Sequence, residues 1–311
     1  MRFVCAAAAV ALAGAPAAAA GGNPVQLAAG GGAIWTCSDA GVIELDARSG
    51  RVLRRPVVGP AYPLQVALGS GAAWVAAVEN GFTAGALTRI DLATGRTSTR
   101  LRLESGPVFA VAAGRGTVWA LVGPTSHAQV TRVDPRSGRR AGLVRGTVQP
   151  SSLAADASGV WIADAGGRLL HARSGARRAR TVLRLRARSA GPPALALGLG
   201  SAWASDGRTL LRVDERTTRT RARVRLPGTP TALAAGRGAV WAILFRPPDR
   251  YRLARVDART GRVTAGARIP AAATSLTLGA GGVWLGVSGR AARVLRVDPR
   301  TLRLQLLARL L

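Results

Sequence analysis

The chain has 311 residues, is 48% hydrophobic, and carries 44 basic against 15 acidic residues, a formal net charge of +29. That hydrophobic content excludes a disordered body, and the length admits one large all-β domain or two ordinary ones. Every basic residue is Arg; GC-rich codon usage would account for the missing Lys as well as selection would, and the positive field attracts anionic polymers over about one Debye length either way, ~8–10 Å at physiological salt.

Residues 1–20 have the pattern of a signal peptide. Arg2 gives a positive start, Phe3 to Leu12 an apolar stretch, and Ala18 to Ala20 a small-residue cleavage site before Gly21. Gly14 and Pro16 break the apolar run, which falls short of the roughly 20 residues needed to span a bilayer. The expected mature chain, 21–311, is therefore exported to the periplasm, cell surface or medium and has no transmembrane span. Cys5 leaves with the signal, so Cys37 remains alone and no internal disulfide can form. With no His near it in sequence, Cys37 reads as a small buried hydrophobe rather than a nucleophile.

Seven tryptophans follow, Trp35, Trp74, Trp119, Trp161, Trp203, Trp241 and Trp284, spaced 38 to 45 residues apart. The interval is that of one four-stranded propeller blade, ~40–50 residues. Each Trp closes a phrase such as GRGTVWA or GAGGVWL, in which a glycine turn leads into a short strand. Ahead of the turn runs another strand of small residues, as in FAVAAG (109–114) and TALAAG (231–236), suited to the crowded centre of a ring. Downstream come phrases such as RIDLATG and RVDPRSG, carrying Asp46, Asp91, Asp134, Asp214, Asp257 and Asp298. Each Asp opens a turn, its carboxylate bonding N–H groups two or three residues on. Blade 4 breaks the rule, HARSG placing His171 where the other phrases have Asp.

A fourth strand alternates Arg with other residues, most clearly at Arg219, Arg221, Arg223 and Arg225. As the outer edge of a blade it uses charge to guard unpaired backbone groups, and the same charge attracts anions. The prediction is all-β: a seven-bladed β-propeller of four-stranded antiparallel blades over 21–311. One Trp per blade should pack on the neighbouring blade, and blades 7 and 1 should close by packing, without an exchanged strand.

From Trp to the turn residue the separation is 10 or 11 residues in blades 1, 4 and 5 but 14 to 17 in blades 2, 3, 6 and 7. Longer loops between the second and third strands are expected there, all on one face. The five non-Trp aromatics of 21–311 map to that face: Tyr62 and Phe109 where blades 2 and 3 begin, Phe82 in the blade 2 loop, Phe245 and Tyr251 in that of blade 6. Glu79, Asn80, His127 and Asp249 join them, whereas Asp39, Asp164 and Asp206 read as turn formers in tight hairpins. Aromatics kept on loops suit a contact surface, or else pin the loops down. Glu79, His127 and Asp249 have the chemistry for a divalent cation or for acid–base work, but no local spacing supports it.

The Gly-x-Gly-x-Val-Trp and Arg-Val-Asp-x-x-Thr-Gly phrases over 24–311 resemble those of exported bacterial seven-bladed propellers of the virginiamycin B lyase-like and YncE-like group. The resemblance implies the fold but no single activity, because the group mixes enzymes, nucleic-acid binders and others. Its antibiotic-cleaving members use histidines and a glutamate around magnesium. This chain has only His127 and His171, which the strand order puts on opposite faces, so that site cannot be assembled. Aromatics are too few to sandwich a quinone cofactor, and no phosphate loop, zinc spacing or nucleophile elbow is present. No catalytic residue, metal ligand or cofactor is assigned.

Two expectations remain. One is a monomeric, non-enzymatic binding or scaffold propeller that contacts an anionic cell-envelope polymer, or a protein, through its long-loop face. The other is a divergent metal-assisted lyase or hydrolase with its site at the central channel. Nucleic acid suits the charge, but export removes the chain from most cytoplasmic DNA.

Overall fold

The structure, a computed structural model, describes residues 10–11, 25–59, 61–79, 83–103, 106–114, 116–123, 128–147, 149–185, 193–247, 250–269, 273–289 and 291–310. Seven antiparallel sheets span 26–54, 62–103, 108–144, 150–184, 195–225, 229–269 and 273–310, each with four strands in chain order. They form a seven-bladed β-propeller. Innermost strands touch around the ring, and Ala273–Gly279 of blade 7 meets Gln26–Gly30 of blade 1. Of residues 1–20 only Val10–Ala11 are among the described residues, and they add a short antiparallel strand to Pro150–Ala155 of blade 4.

Small residues in the innermost strands have a steric cause. A Cβ added to Gly114 of blade 3 would lie 2.1 Å from the Asp156 carbonyl oxygen of blade 4, and one on Gly279 of blade 7 would lie 2.2 Å from that of Ala29 in blade 1. Neighbouring backbones approach too closely there for any side chain. Farther out, each of the seven interfaces between blades holds one apolar cluster containing the Trp of the preceding blade. Trp35 packs among Val66, Val75 and Ile90 of blade 2, Trp119 among Leu153, Val160 and Ile162 of blade 4, and Trp284 among Val25, Leu27 and Ile34 of blade 1. Such a ring buries on the order of 150–250 Å², an upper bound of roughly 4–6 kcal/mol at ~25 cal/mol per Å². Three indoles also donate N–H bonds to the innermost strand of their own blade: Trp74 to Gly69, Trp203 to Gly198 and Trp284 to Gly279.

The ring closes between complete sheets. Blade 7 takes its strands from 273–310 and blade 1 from 26–54, so neither terminus completes the other's sheet. Side chains of blade 7 bond to the backbone of blade 1 instead. The Ser275 hydroxyl donates to the Val25 carbonyl at 2.7 Å, and the Val25 N–H donates to Thr274 Oγ1 at 3.0 Å.

The turn aspartates do the local work expected of them. In all six, Oδ1 accepts N–H bonds from the second and third residues on, as in Asp134 with Arg136 (2.9 Å) and Ser137 (2.7 Å). These bonds and one from the hydroxyl of the Ser or Thr three residues on, the largest cause at Asp46, favour the ionised carboxylate and hold it below its usual range, for Asp214 down to about 2. The turn ends in the left-handed region, which Gly50, Gly95, Gly138 and Gly261 enter freely but Thr218 (φ 57°) and Leu302 (φ 58°) do not.

Strand register corrects the placement of His171. It lies directly across from Trp161 and stacks on it at 4.7 Å, while Arg212 and Arg296 cover Trp203 and Trp284 in the same cross-strand position. His171 thus replaces an arginine that covers an indole, not a turn aspartate. The local phrase misled because the following turn is shorter in blade 4.

Three substitutions test the packing and the turns. Trp284→Ala should cost about 3–5 kcal/mol in denaturant unfolding, the range for truncating a buried indole; a loss under 1 kcal/mol would show that closure does not depend on it. Thr218→Gly should raise stability by about 1 kcal/mol by relieving a left-handed β-branched residue. Leu302→Gly should lower it, because that side chain is buried between blades 6 and 7.

Candidate functional site

The connections from second to third strand and from one blade to the next share one face. Four of the extra residues in each of blades 2 and 6 lengthen strands, and the remainder enter the connections. In five blades the second-strand pairing runs three residues past Trp, whereas Ala72–Glu79 of blade 2 and Ala239–Arg246 of blade 6 run five. Two residue pairs add about 7 Å at ~3.4 Å per residue. Two hairpins therefore stand above this face, three blades apart around the ring. In blade 3 the extra residues do enter the connection, which runs from Gly123 to Ala128.

Of the residues singled out in the sequence, Tyr62, Glu79, Phe109, Phe245 and Tyr251 lie at this end of their strands. Asn80, Phe82, His127 and Asp249 lie outside the described residues. Phe245 and Tyr251 are cross-strand partners with ring centroids 5.3 Å apart. Tyr62 donates its hydroxyl proton to Asp39 of blade 1; burial first, and then this bond, push its phenol well above the usual range. Phe109 is half-buried against the cluster between blades 3 and 4. Glu79 is buried, with Arg102 Nε 4.0 Å from its carboxylate.

Asp164 behaves as a turn former. Its carboxylate accepts bonds from the Arg168 N–H (3.0 Å) and guanidinium (2.7 Å) within one hairpin. Cys37 is fully buried between blades 1 and 2, and burial pushes its thiol far up, so it is packing and not a nucleophile. Among the described residues no three His, Cys, Asp or Glu side chains gather as metal ligands.

The raised blade 6 hairpin carries a feature that sequence alone did not isolate. Arg246, Pro247, Arg250, Arg252 and Arg268 line a cavity of about 370 Å³. Arg246 faces Arg250 across the hairpin, and Arg252 lies between Leu244 and Arg268 in register. Directly opposed residues share a side of the sheet. Leu244 packs toward blade 5, whereas Tyr251 and Ile269 pack toward blade 7. The arginines therefore face blade 5 and the aromatic pair faces blade 7. Alternation in Arg250-Tyr251-Arg252 hinted at this, but Arg268 joins only through the register of the fourth strand.

The opposite face holds a carboxyl pair. Glu215, in blade 5's turn, shares a hydrogen bond with Asp156 in the first turn of blade 4. Asp156 is itself fixed by the Ser158 N–H and hydroxyl, both at 2.7 Å. Burial, and then the Asp156 charge, push Glu215 up to about 7.

Together these features define a closed seven-bladed β-propeller with two raised hairpins on one face and an arginine-lined cavity at one of them. No family model matches the chain, and no curated protein matches it in sequence. Among solved structures it is similar to a chain of a mitotic checkpoint complex, at 12% identity over 86% of this chain and 87% of that one, with a TM-score of 0.66. It is also similar to the computationally designed Ika8 protein, at 15% identity over 93% and 87%, with a TM-score of 0.66. At such identities the likeness is one of fold.

Because the folded state raises the affinity of Glu215 for its proton, its contribution is complete below the ordinary glutamate range and is lost as pH rises through about 7. Glu215→Gln should therefore melt higher than the parent at pH 8 and nearly equal to it at pH 4. Equal melting at both would show that the carboxyl pair is not coupled to folding.

Proposed function

We propose that this chain is an exported, monomeric binding propeller of the virginiamycin B lyase-like and YncE-like group, contacting an anionic cell-envelope polymer through its long-loop face. The observation that carries this reading is the raised blade 6 hairpin, which brings an aromatic pair and an arginine-lined cavity to the same end of one blade. Aromatic rings supply contact area at small rotamer cost, and guanidinium groups supply charge to hold a polyanion. A propeller suits this use, since its tightly packed blades hold the loop face rigid. Export rests on the pattern of residues 1–20. Cleavage there would remove Val10–Ala11 and leave the innermost strand of blade 4 like those of the other six.

The test is binding of residues 21–311 to anionic envelope polysaccharide, neutral dextran and DNA over a range of salt. Saturable binding that prefers the envelope polymer and weakens at least fivefold when Phe82, Phe245 and Tyr251 are replaced by Ala is the expected result. Weak binding to DNA and polysaccharide alike, abolished equally by modest salt, would overturn it.

A further inference from the structure

We infer that the blade 6 cavity is a specific oxyanion site whose occupant is a phosphoryl group carrying at least two negative charges, such as a phosphomonoester or a pyrophosphate. This inference deepens the proposed polymer-binding function and rests on it for the biological source of the group.

The placement of the four arginines calls for a reason beyond those that cover the rest of the surface. Codon bias would account for Arg in place of Lys, but not for four guanidinium groups lining one cavity. Edge protection explains charge on fourth strands, such as the exposed Arg221, Arg223 and Arg225 of blade 5. Arg246, Arg250 and Arg252, however, belong to the second and third strands of blade 6, whose backbone groups are already paired. Like charges directly across a strand pair destabilise the sheet; single pairs also stand at Arg168–Arg184 and Arg293–Arg309, but here two of them, Arg246–Arg250 and Arg252–Arg268, line one cavity. The described lining contains no carboxylate. With the neighbouring Asp249 counted from the sequence, four arginines against one aspartate still leave three net positive charges.

A bound oxyanion removes that repulsion. A monoanionic carboxylate would leave most of the charge unmatched and offers two acceptor oxygens. A phosphomonoester offers three oxygens and about −1.5 to −2 charges, and a pyrophosphate more. Guanidinium forks match phosphate oxygens in pairs, so several can share one phosphoryl group. The cavity, at about 370 Å³, is within the size range of small-ligand sites. Because the arginines are exposed and the cavity opens on the long-loop face, a phosphoryl group can enter while still attached to a polymer.

The experiment is calorimetric titration of residues 21–311 with inorganic pyrophosphate, inorganic sulfate and acetate at fixed ionic strength. The parent is compared with Arg252→Gln/Arg268→Gln and with the charge-matched edge variant Arg221→Gln/Arg223→Gln. Melting temperatures of all three establish that they are folded. Saturable pyrophosphate binding with one site, weakened at least tenfold in the cavity variant and less than twofold in the edge variant, is expected, with sulfate weaker and acetate weakest. Equal losses in both variants, or no saturable binding, would overturn the inference.

A second arm uses phosphate-bearing glycan and vesicles containing phosphatidic acid. Loss of either interaction in the cavity variant alone supports the site and identifies its source. Polysaccharide binding that survives in the cavity variant, together with absent pyrophosphate binding, sinks the cavity and leaves the platform standing. Pyrophosphate binding without any envelope-polymer binding does the reverse.

Discussion

Each blade is fastened to the next by one indole, at most 2% exposed, set into apolar residues of its neighbour. The strand ladders pair only within a blade, so they alone would leave seven independent sheets. What makes a ring of them is this repeated burial, helped by glycines where innermost backbones meet too closely for a Cβ. The seventh interface uses the same device as the other six, and the Ser275 hydroxyl bond to the Val25 carbonyl at the seam has a counterpart in that of Ser152 to the Pro193 carbonyl between blades 4 and 5. Closure by packing also removes any need for a disulfide, in keeping with the single buried cysteine among the described residues.

That rigid ring leaves its two faces free to differ. On one, short turns are locked by aspartates, and neighbouring blades approach closely enough for Glu215 to hydrogen-bond Asp156. On the other, strand length varies, and two hairpins rise above the rest. Charge is distributed accordingly. The arginines of outer strands lie exposed along sheet edges, where repulsion between molecules is useful. Those of the blade 6 hairpin oppose one another around a cavity, where repulsion is a cost until an anion offsets it.

Cross-strand register also assigns the arginine of the Arg-Val-Asp phrase a second role. Arg212 and Arg296 lie over Trp203 and Trp284, shielding an indole edge with a cation. His171 does the same for Trp161 with a flatter ring. One phrase thus places a cover for the core residue and a turn-forming carboxylate two residues apart.

The sequence by itself determined the blade number, the class of each strand, the packing role of the tryptophans, the turn role of the aspartates and the closure between complete sheets. All of these are local or periodic, and periodicity survives without knowledge of what lies across the ring. It also identified the variable face and put Tyr62, Glu79, Phe109, Phe245 and Tyr251 on it. Only the tertiary structure decided which of these meet. Glu79 is engaged by Arg102 within blade 2, Tyr62 by Asp39 of blade 1, and four of the extra residues of blade 6 extend its strands. The arginine cavity and the Asp156–Glu215 pair were illegible for the same physical reason. Each joins residues from different strands or blades whose proximity depends on register and on the angle between packed sheets, neither of which a repeat pattern encodes.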